Sequence, residues 1–147
     1  DRVNQVGAKY GAKIYTGADL YSADVDIYAP CALGATINDA TINNIKASII
    51  AGAANNQLAN EAIHGKILKE KGILYAPDFL INAGGVINVY SELVKWTNAQ
   101  VMEKTENIYN TALEIFKFAD DNNITTHQAA FSMAQKRIDD AKNELKK

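Results

Sequence analysis

Cysteine is almost missing from this 147-residue sequence, and a lone Cys31 excludes an intrachain disulfide framework and a multi-cysteine zinc site. A single thiol suits a reducing compartment, so a cytoplasmic location is expected. Histidine is scarce too. His64 and His127 fall on separate predicted helices without metal-ligand spacing, so no metal site is expected and both read as surface or capping residues. Charge of one sign is not in excess: 15 basic residues against 17 acidic ones leave a formal net charge of -2 without long like-charge runs. That excludes the electrostatic footprint of a nucleic-acid binder or a membrane-surface helix. No apolar run approaches the ~18–20 residues of a membrane span, and Asp1-Arg2-Val3-Asn4 shows no charged-then-apolar targeting pattern. Neither nucleic acid nor membrane is therefore expected as a partner. Asp24, Asp26, Asp39 and Asp78 are dispersed, so no pair is nominated for acid–base work and no catalytic residue is assigned.

What is present is apolar and alternating. Apolar residues make up 48% of the chain, enough for one domain that buries roughly 68–70% of its unfolded surface. Four short segments rich in β-branched or aromatic residues read as buried strands: Lys13-Ile14-Tyr15-Thr16, Val25-Asp26-Ile27-Tyr28-Ala29-Pro30, Ala47-Ser48-Ile49-Ile50-Ala51 and Ile73-Leu74-Tyr75-Ala76. Helical or turn-like stretches separate them. The clearest runs from Asn60 to Lys71, with Ile63, Ile67 and Leu68 on one face and Gly72 as its stop. Strand and helix alternation over residues 1–81 predicts an α/β fold built on a parallel sheet. Residues 82–147 read as helix throughout, with one stripe at Ile108, Tyr109, Ala112, Leu113 and Phe116 and another from Ala130 through Met133 and Ile138 to Leu145. Asp120-Asp121-Asn122-Asn123 is the turn between them, and Thr125 or Thr126 can cap the second. No repeat or low-complexity linker divides the chain. Val3, Val6, Ala8 and Tyr10 before Gly11 read as the body of a helix at the very start, which suggests that the chain begins inside a larger protein.

In an open parallel sheet ligands gather outside the carboxyl ends of the strands. Three strand ends carry unusual residues there: Pro30-Cys31-Ala32-Leu33-Gly34, Gly52-Ala53-Ala54-Asn55-Asn56-Gln57 and Asn82-Ala83-Gly84-Gly85. Small residues let a planar ligand approach the backbone, and asparagines offer paired donors and acceptors. Taken singly, each is also an ordinary turn signal. Together they outline a crevice whose ligand spacing alone does not name. Cys31 could act as a nucleophile if a following helix lowered its pKa, but neither histidine has a local reason to partner it, and packing as a small buried hydrophobe is the simpler reading.

These three segments resemble, in order, the nucleotide-binding domain of the glutamate, leucine, phenylalanine and valine dehydrogenases, nearest to the leucine-specific members. The similarity rests on residues 26–34 around Pro30-Cys31-Ala32, residues 50–58 around Gly52-Ala53-Ala54-Asn55-Asn56-Gln57, and residues 75–89 around Asn82-Ala83-Gly84-Gly85, with compatible helices up to about Leu145. It implies a partial Rossmann-like, doubly wound parallel sheet followed by C-terminal helices, with NAD as cofactor and a small amino acid as substrate. By the resemblance, Cys31 and Ala32 pack near the cofactor ribose, Asn55 lies beside the nicotinamide ribose and Asn82 holds the nicotinamide carboxamide. Asn56 would bond the substrate α-carboxylate, and Val86 and Val89 would line the side-chain pocket. Two valines make that wall apolar, which disfavours a glutamate carboxylate and favours a branched aliphatic side chain such as that of leucine or valine.

The family's glycine-rich turn, its ribose-binding acidic residue and its whole substrate domain have no counterpart in the chain, which would then be the C-terminal portion of a dinucleotide-binding domain and inactive alone. Preference for NAD over NADP is assumed from the resemblance. A homo-oligomer is expected, since a half-sheet leaves an unpaired edge. The competing reading is a non-enzymatic relative that keeps the fold and its amphipathic helices as an oligomerisation or interaction module. A stand-alone nucleotide sensor lacks the phosphate contacts it would need.

Overall fold

A computed structural model describes residues 2–145. Helix α1, Arg2–Tyr10, stops where expected, because Gly11 takes a left-handed φ of 65° and Ala12 N–H bonds Gly7 O at 3.0 Å. The strand expected at residues 13–16 does not form. Its β-branched character has no neighbouring ladder to complete among the described residues. Ile14 instead packs back onto Gly7, the one buried residue of α1, at a site where a side chain on Gly7 would crowd it. A 3-10 turn at Gly17–Leu20 leads on to the sheet.

That sheet is parallel and three-stranded, in the order β1 (Ile27–Tyr28), β2 (Ile49–Ile50), β3 (Leu74–Tyr75). Ile27 pairs with Ile49 and Ile49 with Leu74; Tyr28 pairs with Ile50 and Ile50 with Tyr75. Each strand is shorter than the sequence suggested. Flanking bonds, from Ile49 N to Asp26 O, Ala51 N to Tyr28 O and Ala76 N to Ile50 O, carry the pairing a little beyond the ladder. Ile37, Ile42, Ile45, Ala47, Ile50, Leu58, Leu68, Ile73 and Tyr75 form the core beneath it.

Helix α2, Glu61–Glu70, returns the chain from β2 to β3; Asn60 caps it by accepting from Ile63 N–H at 3.1 Å, and Gly72, φ 69°, ends it. Its buried face is His64, Gly65 and Leu68, while Ile63 is 53% exposed, so the expected apolar face is turned by about one position. His64 corrects the surface reading. It is buried, Nδ1 accepts from Asn60 N–H at 2.9 Å, and Nε2 lies 3.0 Å from an Asp39 carboxylate oxygen. Because Nδ1 accepts, the ring proton sits on Nε2 and points at Asp39, so the histidine does cap its helix, but from inside.

The helical region comprises α3 (Asp78–Ile81), α4 (Gly84–Val94), α5 (Asn98–Asp121) and α6 (Thr126–Glu144). Reciprocal capping boxes start the last two, Thr97 with Gln100 and Thr125 with Gln128. They pack through Ile115, Ala119, Ala129 and Ala130, with Phe116, Ile124 and Met133 alongside. The expected stripes are turned rather than lost: Ile108, Ala112, Phe116 and Met133 are half-buried and Ala130 is buried, whereas Tyr109, Leu113, Ile138 and Leu145 are exposed. No helix among the described residues is long and apolar enough to cross a membrane.

Candidate functional site

The loops leaving the three strands meet at one edge of the sheet. Gly52, just beyond β2, lies so close to the loop after β1 that a Cβ there would collide with the backbone O and N of Pro30, so no larger residue fits. Ala54 N–H bonds Pro30 O at 2.9 Å, and Ala53 N–H reaches Cys31 Sγ at 3.5 Å. Farther out, Ala35 N–H bonds Asn56 O at 2.7 Å. A side chain on Gly34 would come within 2.7 Å of Asn55 O. Cys31 and Ala32 therefore belong to a tight double loop. The thiol is exposed rather than a buried hydrophobe, because it lies past the end of the strand, where nothing covers it.

Asn55 and Asn82 are brought together from different loops. Asn82 Nδ2 donates to Asn55 Oδ1 at 2.5 Å and approaches Ala53 O at 3.4 Å. With those bonds made, Asn82 keeps Oδ1 as an acceptor and Asn55 keeps its NH2 as a donor, a pairing that matches a primary carboxamide.

Asn56 adopts a left-handed φ of 51°, leaves its side chain exposed, and donates its backbone N–H to Asp78 Oδ2 at 2.5 Å. Asp78 is 7% exposed and takes a second hydrogen bond from the Tyr75 hydroxyl at 3.1 Å. Burial, reinforced by the Asp78 charge, pushes the Tyr75 phenol well above its ordinary value, so it stays a donor. Gln57 is fully buried, and its Nε2 donates to Gly52 O at 2.5 Å and Ala54 O at 2.9 Å, tying the loop to itself. Sequence reading missed both Asp78 and Gln57 as structural groups of this edge. The available signals were an acidic residue directly after Pro77 at a helix start and a polar residue set against Leu58.

Val86 and Val89 lie three residues apart on α4 and are 72% and 64% exposed. They share an exposed helix face that begins one turn after Asn82. A groove of about 940 Å³ between the starts of α2 and α6, lined by Glu61, His127, Phe131 and Lys136, shares no residue with the asparagine cluster.

Residues 2–145 match the family model described as Glutamate/Leucine/Phenylalanine/Valine dehydrogenase. The chain is 47% identical over 146 residues to an L-tryptophan dehydrogenase of Nostoc punctiforme, covering 99% of this chain and 41% of that protein. It is 49% identical over 131 residues to a leucine dehydrogenase of Thermoactinomyces intermedius, covering 89% of this chain and 36% of the relative. The crystal structure of L-tryptophan dehydrogenase from Nostoc punctiforme superposes with a TM-score of 0.89 at 48% identity, over 95% of this chain and 42% of that one. The chain thus spans about two-fifths of the length of these relatives. With a parallel α/β sheet, asparagine-bearing loops at its edge and a match over nearly every residue, the chain belongs to the glutamate/leucine/phenylalanine/valine dehydrogenase family.

Proposed function

We propose that this chain is the C-terminal portion of the dinucleotide-binding domain of an NAD-dependent amino-acid dehydrogenase that oxidatively deaminates a branched-chain L-amino acid, leucine or valine, to its 2-oxo acid. The observation that carries the reading is the Asn55–Asn82 amide pair, which leaves one donor and one acceptor free at the carboxyl edge of a parallel sheet. Bound NAD would supply the hydride acceptor. Asn82 and Asn55 would hold its carboxamide and ribose, and the tight loop at Cys31 and Ala32 would pack beside the same ribose. Asn56, turned outward by its left-handed backbone, would bond the substrate α-carboxylate. Val86 and Val89 would provide an apolar wall that leaves a charged side chain without a partner. The exposed apolar side chains of α4 and α5, Leu93, Met102 and Tyr109 among them, support assembly into a homo-oligomer.

The relative named for tryptophan bears on the substrate, because two valines also admit an aromatic side chain. The test is NAD reduction by the native protein that contains this chain, with leucine, valine and tryptophan supplied separately. Leucine and valine are expected to reduce NAD. Turnover of tryptophan alone would replace the branched-chain assignment with an aromatic one, and no turnover of any of the three would favour the interaction-module reading. Asn56→Ala should lower kcat/KM for the amino acid about ten- to a hundredfold, the worth of a hydrogen bond to a charged group. Unchanged kinetics would remove its assigned role.

A further inference from the structure

We propose that Asp78 is the positioning residue that sets the Asn55–Asn82 amide pair, by locking the loop after β2 to the segment that carries Asn82. The inference rests on the cofactor reading above and adds a residue that the reading does not use. A carboxylate this buried loses hydration and must be repaid in hydrogen bonds. Asp78 has two, and they come from different elements: the Asn56 N–H at 2.5 Å and the Tyr75 hydroxyl at 3.1 Å. No basic side chain forms an ion pair with it among the described residues. Its charge is thus spent on a backbone N–H, and charge-assisted bonds of this type are short and about twice as strong as neutral ones.

The residue it grips is the one that needs gripping. Asn56 sits at φ 51°, a left-handed conformation uncommon for a residue with a side chain, and Asn55 precedes it directly. The same Asp78 holds the other asparagine through its main chain, accepting from Asn82 N–H at 3.0 Å across the short α3 turn. That second bond is the backbone bond of a helical turn and would form with any residue at position 78, so the carboxylate acts on the 2.5 Å amide contact from the Asn56 side, while its own backbone starts the turn that carries Asn82. Its own place is anchored in turn. Tyr75 lies in β3 and is nearly fully buried, its phenol stays protonated because burial and the nearby carboxylate both oppose ionisation, and its carbonyl accepts from Thr126 Oγ1 at 2.7 Å. A line of bonds runs from α6 through β3 to Asp78 and ends at the loop that carries the asparagines.

The test uses the native protein that contains this chain, with NADH binding followed by fluorescence titration and hydrogen exchange of residues 53–58 followed by mass spectrometry. Asp78→Asn keeps the volume and removes the charge. It is expected to weaken NADH binding about tenfold or more and to speed exchange in 53–58. Tyr75→Phe leaves the bond to Asn56 in place and is expected to lower the thermal midpoint while changing the NADH Kd less than twofold. Asn82→Ala serves as the direct test of the cofactor reading. If Asn82→Ala weakens NADH binding and Asp78→Asn does not, the positioning role is overturned and the cofactor reading stands. If neither weakens it, both fall. A weakened Kd without faster exchange in 53–58 would also overturn the role, since the loop would then not be what Asp78 holds. Should Asp78→Asn fail to fold, the Tyr75→Phe/Asp78→Asn double variant removes the donor together with the charge and is read by the same outcomes.

Discussion

At the scale of single residues, buried polar groups organise this edge of the sheet. Tyr75 shows how one of them enters stability. Its phenol is pushed up by burial first and by the Asp78 charge second, so the folded protein holds that proton more tightly than the unfolded chain does. The contribution to stability is fully present below the unfolded value near 10 and is lost as pH rises beyond it toward the folded value. Tyr28, raised chiefly by burial, acts in the same direction. Denaturant titrations between about pH 9 and 11 should therefore show stability declining with pH, and Tyr75→Phe should make the decline shallower. An equal slope in both proteins would mean that Tyr75 is not the group responsible. Gly52 teaches a different lesson: with Pro30 backbone where its side chain would be, the position is decided by contact between two loops rather than by a turn of its own.

At the scale of elements, the two long helices start with the same chemistry in different surroundings. Thr97 and Thr125 each accept from the N–H three residues on, and each donates its own backbone N–H to the Oε1 of that glutamine. Thr97 is exposed, whereas Thr125 is 8% exposed and packs near Gly65 of α2. Water can replace a lost cap at the first and reaches the second poorly. Thr125→Ala is expected to cost about 1–2 kcal/mol and Thr97→Ala about 0.5–1 kcal/mol, read from urea midpoints. Equal losses would show that burial of the cap does not matter here. The helices themselves were legible, since both carry apolar stripes, a cap and a polar turn between them. The face each one buries was legible only in part, through Phe116, Ala130 and Met133; Ala119 and Ala129 escaped because small residues let the backbones approach, whereas a periodicity count weights larger side chains more heavily.

At the scale of the whole molecule, much apolar surface has no cover. Val86, Val89 and Leu93 on α4, Tyr109 on α5 and Phe131 and Ile138 on α6 are all more than half exposed, and large apolar side chains left in water are what an association surface offers. Sedimentation of the 147-residue chain should reveal concentration-dependent association, and Leu93→Lys should reduce it by placing a charge on the most exposed large apolar side chain of α4. A monomer at every concentration would remove the support that this surface lends to an oligomer.

The alternation of strand and helix, the order of the three loops and their family were already legible in the amino-acid order, because apolar period, glycine stops and long motifs are properties of neighbouring residues. It also pointed to Asn55 and Asn82, each visible in its own turn. It overreached at residues 13–16, where β-branched residues met no partner strand, and at His64, where a polar residue proved able to sit inside once Asn60 and Asp39 satisfied both ring nitrogens. Only the tertiary structure decided that the two asparagines touch, that Cys31 faces outward, and that Asp78 binds a residue 22 positions away. Such relations depend on the parallel register Ile27–Ile49–Leu74, which places three loop starts side by side; register is a property of the sheet, and no stretch of sequence contains it.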